Sequence, residues 1–432
     1  VRPPLRSFPL RLAAIAVLGV ILRAVYLFVF ARNVKGSGDW YFYHWQAALI
    51  AHGHGFSDPW VLLGTHHLRA SAIHPPLYPL LLAGVYELGG HGPLAQRSLG
   101  LVLGVVTLVL VGLIGRRARG ERAGLIAAGL YAVYPLMIAV DGDLMSETLY
   151  GPLVAGSLLC ALALRAQPRP RTAAGLGALI ALAALTRSEA LLLVPLLLVP
   201  LIMFAPLPGR RRLAMLGCGL AACCIVLAPW TIRNYSVFGR FVPVSTNDAT
   251  VLAGANCAKA YHGVNLGGWD FTCVPPRTST NEAVQAARWR SEGLHYLTHH
   301  LGRLPTVLAV RLLRVWDLWQ PRRQARVFAE GRLVGVEEAG VAAFYVLSLL
   351  GLVGARALWR GRRGVLGVLL SPALLVSLSA LAGYGIPRLR HTFEIALVVL
   401  AAVGALTVAE GLAARRRELA PGPRRLGGVA SP

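Results

Sequence analysis

Ten stretches of this 432-residue chain are apolar and long enough to cross, or nearly cross, a bilayer. The hydrocarbon core of a bilayer needs about 20 helical residues. The runs lie at roughly 9–31, 95–115, 122–140, 145–165, 173–186, 189–206, 212–230, 339–358, 364–383 and 391–411, the fifth being short. With 56% hydrophobic and 14% charged residues, the chain has too little polar surface to fold in water. The pattern predicts an all-α polytopic membrane protein of about ten transmembrane helices.

The net charge of +24 raises the question of nucleic acid. Binding a polyanion would need the basic residues gathered on one soluble face, whereas here they punctuate the apolar runs, so no nucleic-acid partner is expected. Arg116, Arg117, Arg119 and Arg122 form one short basic loop, Arg165, Arg169 and Arg171 a second, Arg210 to Arg212 a third, and Arg356, Arg360, Arg362 and Arg363 a fourth. Together with Arg2, Arg6 and Arg11 at the start and Arg415 to Arg417, Arg424 and Arg425 at the end, they predict cytoplasmic termini in an inner or plasma membrane. On that topology only Glu121, Glu410 and Glu418 of the 19 carboxylates face inward, and the acid–base chemistry faces out. The run Pro75 to Leu88 would invert every later loop if it crossed, and is expected to lie on the outer surface. The first run contains a passable cleavage site at Val29-Phe30-Ala31, but its apolar core is longer than that of a signal peptide and reads as a retained helix.

Four regions follow. Residues 1–230 form an N-terminal transmembrane catalytic module with a first outer loop at 32–94, residues 231–338 a small extracytoplasmic cap, residues 339–411 the C-terminal transmembrane helices, and residues 412–432 a disordered cytoplasmic tail. In the cap, Asn281 to His300 reads as helical and Leu304 to Gln320 as a surface-lying amphipathic helix. Cys160, Cys218, Cys223 and Cys224 fall in spans as packing residues, whereas Cys257 and Cys273 share an outer loop, where a disulfide between them is expected.

The polar residues near the outer ends of the runs carry the chemistry. Asp39 follows Gly36-Ser37-Gly38 and precedes Trp40, Tyr41, Tyr43 and Trp45; alone it reads more readily as a helix cap than as a catalytic base, and its companions change that balance. In His74-Pro75-Pro76-Leu77-Tyr78-Pro79 the prolines suit a helix start, which would place His74 at a positive helix end suited to phosphate. Asp141, Asp143 and Glu147 bring three carboxylates to the outer face, although Ser146-Glu147 also reads as a helix cap. Arg187, Arg233, Arg388, Arg390 and His391 are cations at membrane depth, where a charge is costly and tends to line a polar cavity or to snorkel. Arg187 and Glu189 also form a possible local ion pair. Seven of the 12 histidines lie in the first outer loop, but His52-x-His54 and His66-His67 match no standard zinc framework.

The order Asp39-x-x-x-Tyr43, His74-Pro-Pro-Leu-Tyr-Pro, Ser146-Glu147, Leu185-Thr-Arg-Ser-Glu189, Pro229-Trp-x-x-Arg-Asn234, Val242-Pro-Val-Ser-Thr246 and Pro387-Arg-x-Arg-His391 resembles the GT-C superfamily of polyprenyl-phosphate-sugar-dependent glycosyltransferases. The nearest resemblance is to family-39-like enzymes, relatives of the aminoarabinose transferases and protein O-mannosyltransferases. The resemblance implies a sugar moved from a polyprenyl phosphate to a lipid, glycan or protein acceptor on the outer side of the bilayer, with inversion. It assigns catalysis to Asp39 and Glu147, donor phosphate to His74, Arg187, Arg388 and Arg390, and substrate lining to Tyr43, Tyr78 and Asp143. Trp40 stands where many relatives carry a second acid, which leaves a divalent metal possible and no cofactor certain. Two other classes fit the same outward carboxylates and intramembrane arginines: a transporter or flippase of lipid-linked sugars, and a lipid-linked phosphate transferase.

Overall fold

The structure, a computed structural model, describes residues 7–327 and 330–419. It is an integral membrane protein built of helices; among the described residues the only extended pairing is an isolated bridge between Ser57 and Ala70. Seven helices are long and apolar enough to cross a membrane: Phe8–Phe30, Pro93–Arg119, Glu147–Ala166, Gly209–Phe238, Val334–Gly361, Arg363–Ala382 and Pro387–Arg416. The pair Glu121–Val133 and Pro135–Asp141, bent by 66°, is long and apolar enough to make an eighth when counted as one broken span. Pro135 supplies no amide hydrogen and pushes Tyr134 into an extended conformation, which breaks the helix there. The other two apolar runs form the shorter segments Pro170–Ala184 and Ser188–Met203.

The last helix is the axis of the bundle, with Ile395 through Val403 all buried. It lies against Val334–Gly361 at glycine contacts: a Cβ on Gly354 would run into the Leu400 carbonyl, and one on Gly404 into that of Leu350. Small residues of this kind let membrane helices approach backbone to backbone. A buried ion pair, Arg23 Nε to Asp141 Oδ2 at 2.7 Å, ties the first helix to the end of the bent pair.

Several boundaries differ from the sequence expectation. Gly209–Phe238 continues eight residues past 230 despite Pro229, so the cap begins at Gly239, whose left-handed φ of 63° ends the helix. The final helix runs to Leu419, taking in the first part of the expected tail, while residues 420–432 lie outside the described residues. The segment from Pro75 forms the 11-residue helix Leu77–Glu87, too short to cross. In the cap, Asn281 caps Glu282–His299, and Leu304–Val315 follows. Cys257 and Cys273 are bonded to each other.

Candidate active site

Gly38 adopts φ 52° and ψ −114°, a conformation that L side chains rarely take, and turns the chain into the helix Asp39–Ala51. Asp39 is the first residue of that helix, and Tyr43 stands one turn later on the same face. Both face His74: its Nε2 is 3.5 Å from Asp39 Oδ1, and its Nδ1 is 3.3 Å from the Tyr43 hydroxyl. Phe42 closes on the His74 ring edge-on, with centroids 4.6 Å apart.

Three backbone ties hold the His74 segment. The Leu77 amide donates to the Leu185 carbonyl at 2.9 Å, the Thr246 amide to that of Ala72 at 3.0 Å, and the Ser245 hydroxyl to that of Ile73. Glu282 of the cap locks the same strap by accepting from the Ala72 amide and the Thr246 hydroxyl, each at 2.7 Å. Arg233 donates to the carbonyls of Ser71 and Phe56, so it clamps the first outer loop.

Glu147 opens the helix Glu147–Ala166. The turn before it is braced by Arg97, which donates to the carbonyls of Gly142 and Ala31 at 2.7 and 2.9 Å. Two guanidiniums meet on one oxygen of Glu147: Arg187 through Nη1 and Arg388 through Nε. Arg187 also donates to Glu189 at 2.5 Å. Arg388 reaches Asp39 Oδ2 and Glu330 Oε2, each at 3.2 Å. Glu147 thereby holds two like charges side by side, where a neutral residue would leave them to repel.

The two acids differ in access. The Asp39 side chain is 38% exposed and that of Glu147 3%, so a bound molecule can reach the first and not the second. Burial pushes the Asp39 carboxyl up, but His74 and Arg388 outweigh it and hold the group well below the usual carboxylate range. Burial also pushes Tyr384, at the mouth, up to about 12, leaving it a neutral donor. Asp39, His74, Arg187, Arg388, Tyr43 and Tyr384 line one cleft of about 70 Å³, together with Glu189, Ser146, Ser188, Ser245 and Asn247. Cations, an open carboxylate and hydroxyls lining one cleft suit a polyol joined to a phosphate.

Residues 73–232 match the protein family described as dolichyl-phosphate-mannose-protein mannosyltransferase. The archaeal oligosaccharyltransferase AglB from Archaeoglobus fulgidus, solved with an inhibitory peptide and a dolichol-phosphate, is 16% identical and superposes with a TM-score of 0.59 over 96% of this chain and 52% of that one. The A. fulgidus enzyme tethered to an acceptor peptide gives 0.60 at 15% identity, over 96% and 51%. The chain has the GT-C fold. It spans about half the length of the archaeal chains it matches. ArnT from Cupriavidus metallidurans, solved with undecaprenyl phosphate, is 17% identical over 95% and 80% of the two chains; its TM-score of 0.43 is too low to argue from. No curated protein matches the sequence.

Within this GT-C fold the expected site residues divide. Asp39, His74, Tyr43, Arg187 and Arg388 line the cleft, with Glu147 behind the two arginines. Arg390 does not: it is buried against Asp317 at 2.7 Å and Glu394 at 2.6 Å. Arg388 and Arg390 share one 3₁₀ turn, Pro387–Arg390, where residues two apart point about 240° around the axis. Asp143 is also turned away, fully buried on Arg332 at 3.2 Å. Tyr78 is buried behind Tyr43, with ring centroids 5.0 Å apart. Asn247, Tyr384 and Glu330 carried no signal in the sequence as site residues; Ser245 lay within the Val242-Pro-Val-Ser-Thr246 match.

Among the described residues no three His, Cys, Asp or Glu side chains converge as metal ligands. The loop histidines are dispersed: His44 bonds Gln96, and His52 bonds the Ala48 carbonyl of its own helix. Asp39 already faces His74 and Arg388, so this donor set does not fit a divalent cation.

Proposed function

We propose that this protein is a membrane glycosyltransferase that moves a sugar from a polyprenyl phosphate to a lipid, glycan or protein acceptor at the extracytoplasmic face of an inner or plasma membrane. One observation carries the reading: Asp39, the most exposed carboxylate of the cleft, pairs with Arg388 and shares the cleft with Arg187, at the end of the bundle remote from the arginine-rich loops. By the bias of basic loops toward the cytoplasm, that end faces out and both termini face in. The dolichol-phosphate in the archaeal complex agrees with a lipid phosphate as the group that this fold receives.

In this reading the donor phosphate lies on Arg187, Arg388 and His74. The phosphate competes with Asp39 for Arg388, which releases the hold that keeps the carboxyl so acidic and makes it a better base. Asp39 takes the proton of the acceptor group as that group bonds to the anomeric carbon. The bond from that carbon to the phosphate oxygen breaks, its electron pair leaves with the polyprenyl phosphate, and the arginines stabilise the departing charge. A single displacement inverts the anomeric centre. Glu147 acts by positioning the two arginines, and the site works without a divalent metal.

The test is purified protein in nanodiscs with a polyprenyl-phosphate sugar and candidate acceptors. Transfer with stoichiometric release of polyprenyl phosphate is the expected result. A flippase would move the donor intact, and recovery of unconsumed donor on the opposite face would replace this reading.

A further inference from the structure

The helix that opens with Glu147 in the cleft ends at Ala166, about 30 Å away for its 20 residues at 1.5 Å each. At that far end is a cavity of about 610 Å³, larger than the cleft. Five arginines line it from four places in the chain: Arg117 ends Pro93–Arg119, Arg165 ends Glu147–Ala166, Arg169 and Arg171 flank the start of Pro170–Ala184, and Arg362 joins Val334–Gly361 to Arg363–Ala382.

No carboxylate lines this cavity. Two of the three acids on the same side are engaged elsewhere, Glu121 with Arg116 at 3.0 Å and Glu410 with Arg119 at 2.6 Å. Arg117 donates to the Leu159 carbonyl and Arg362 to those of Arg117 and Ala118. Arg165, Arg169 and Arg171 have no hydrogen bond or ion pair among the described residues. The Arg165 guanidinium is laid across Gly364. Five like charges around one concavity repel one another unless an anion fills it. The remaining wall includes Leu162, Ala163 and Val365, which are apolar. A concavity with a cationic rim and an apolar wall, one hydrocarbon thickness from the cleft, matches an amphiphile whose head is an anion.

We propose that this cavity is a binding site for the phosphate head group of an anionic glycerophospholipid in the leaflet opposite the cleft, distinct from the site proposed for the donor. Free phosphate shares the charge but would gain nothing from Leu162, Ala163 and Val365. Basic pockets between transmembrane helices bind anionic head groups by this combination of charge and depth.

The experiment compares phosphatidylglycerol retention by native mass spectrometry after extraction from vesicles of phosphatidylcholine with and without phosphatidylglycerol. Three proteins are needed: the wild type, an R165Q/R169Q/R171Q variant, and an R210Q/R211Q/R212Q variant that removes the same charge from another loop at the same end. Each basic side chain near an anionic surface contributes roughly fivefold in affinity, so the first variant should lose about two orders of magnitude. The loop control should retain phosphatidylglycerol like the wild type. Equal loss in both variants would mean that only the general charge of that face matters and would overturn the proposal. So would displacement of the lipid by inorganic phosphate at matched concentration. R169Q alone, at an exposed position, gives a smaller loss in the same direction should the triple variant fold poorly. Because lipid retention is read without any sugar transfer, its outcome is independent of the glycosyltransferase reading.

Discussion

Arg388 Nη1 lies 3.2 Å from Asp39 Oδ2 although 349 residues separate them in the chain. The contact fastens the entry of the last helix to the first outer loop and places the cation beside the most exposed carboxylate of the cleft. Through its other nitrogens Arg388 also bonds Glu147, so one side chain couples the state of Asp39 to the placement of Arg187.

Asp39→Asn keeps the size of the side chain and removes its charge. Transfer should fall by about 10²-fold or more, the effect of losing a positioned general base, while donor binding persists. Single-turnover transfer and separate donor titration measure the two. Near-normal turnover in a folded variant would move the base elsewhere.

Arg388→Gln and Arg390→Gln should part company. The first removes a cation from the cleft and should raise the donor KM, with a smaller loss of stability than the second because Glu147 keeps Arg187 and Asp39 is open to solvent. The second leaves Asp317 and Glu394 without their buried partner and should cost about 3 kcal/mol of stability. Thermal unfolding in detergent, read beside donor titration, separates them; a shared pattern would contradict the geometry.

Burial lifts the Asp143 carboxyl to about 7, with Arg332 only partly offsetting it. Its folded-state value is above the unfolded one of 3.8, so the folded protein binds more protons between those values, and this group lowers stability as pH rises through the window. Asp143→Asn should therefore make the slope of melting temperature against pH less negative between pH 4 and 7. An unchanged slope would show that Asp143 is ionised throughout.

The Cys257–Cys273 bond closes a loop of sequence separation 16. A Cys257→Ser/Cys273→Ser variant should be less stable by about 3 kcal/mol in the chain-entropy account. Non-reducing peptide mapping of the wild type should recover the two cysteines as one linked pair, and free thiols at both positions would refute the bond.

Chelation should leave transfer within about twofold of its starting rate, because the cleft's cationic work falls to Arg187, Arg388 and His74. Loss of activity with EDTA that is restored by a divalent cation would require a ligand set that the described residues do not form.

Much of the architecture was legible because membrane insertion is a one-dimensional problem. Run length reports directly on helices, and each of the ten apolar runs coincides with helical structure, seven of them as single helices long enough to cross. The 66° break at Tyr134–Pro135 turns on a local rule, yet the continuous apolar run conceals it. In the site, Asp39, His74, Arg187 and Arg388 were legible as charges placed where a bilayer makes charge expensive.

What the chain could not disclose was direction. Arg388 and Arg390 are equivalent in composition and depth, and only the 3₁₀ turn and the packing of the last helix send one into the cleft and the other to Asp317 and Glu394. Asp143 and Glu147 present the same ambiguity, resolved when Arg332 and the pair of Arg187 and Arg388 arrive from distant segments. The sequence by itself determined which segments enter the membrane and which charges had to be answered, because hydrophobic transfer acts residue by residue. Which charge answers which was decided by the tertiary structure alone, since an ion pair depends on the meeting of side chains hundreds of residues apart.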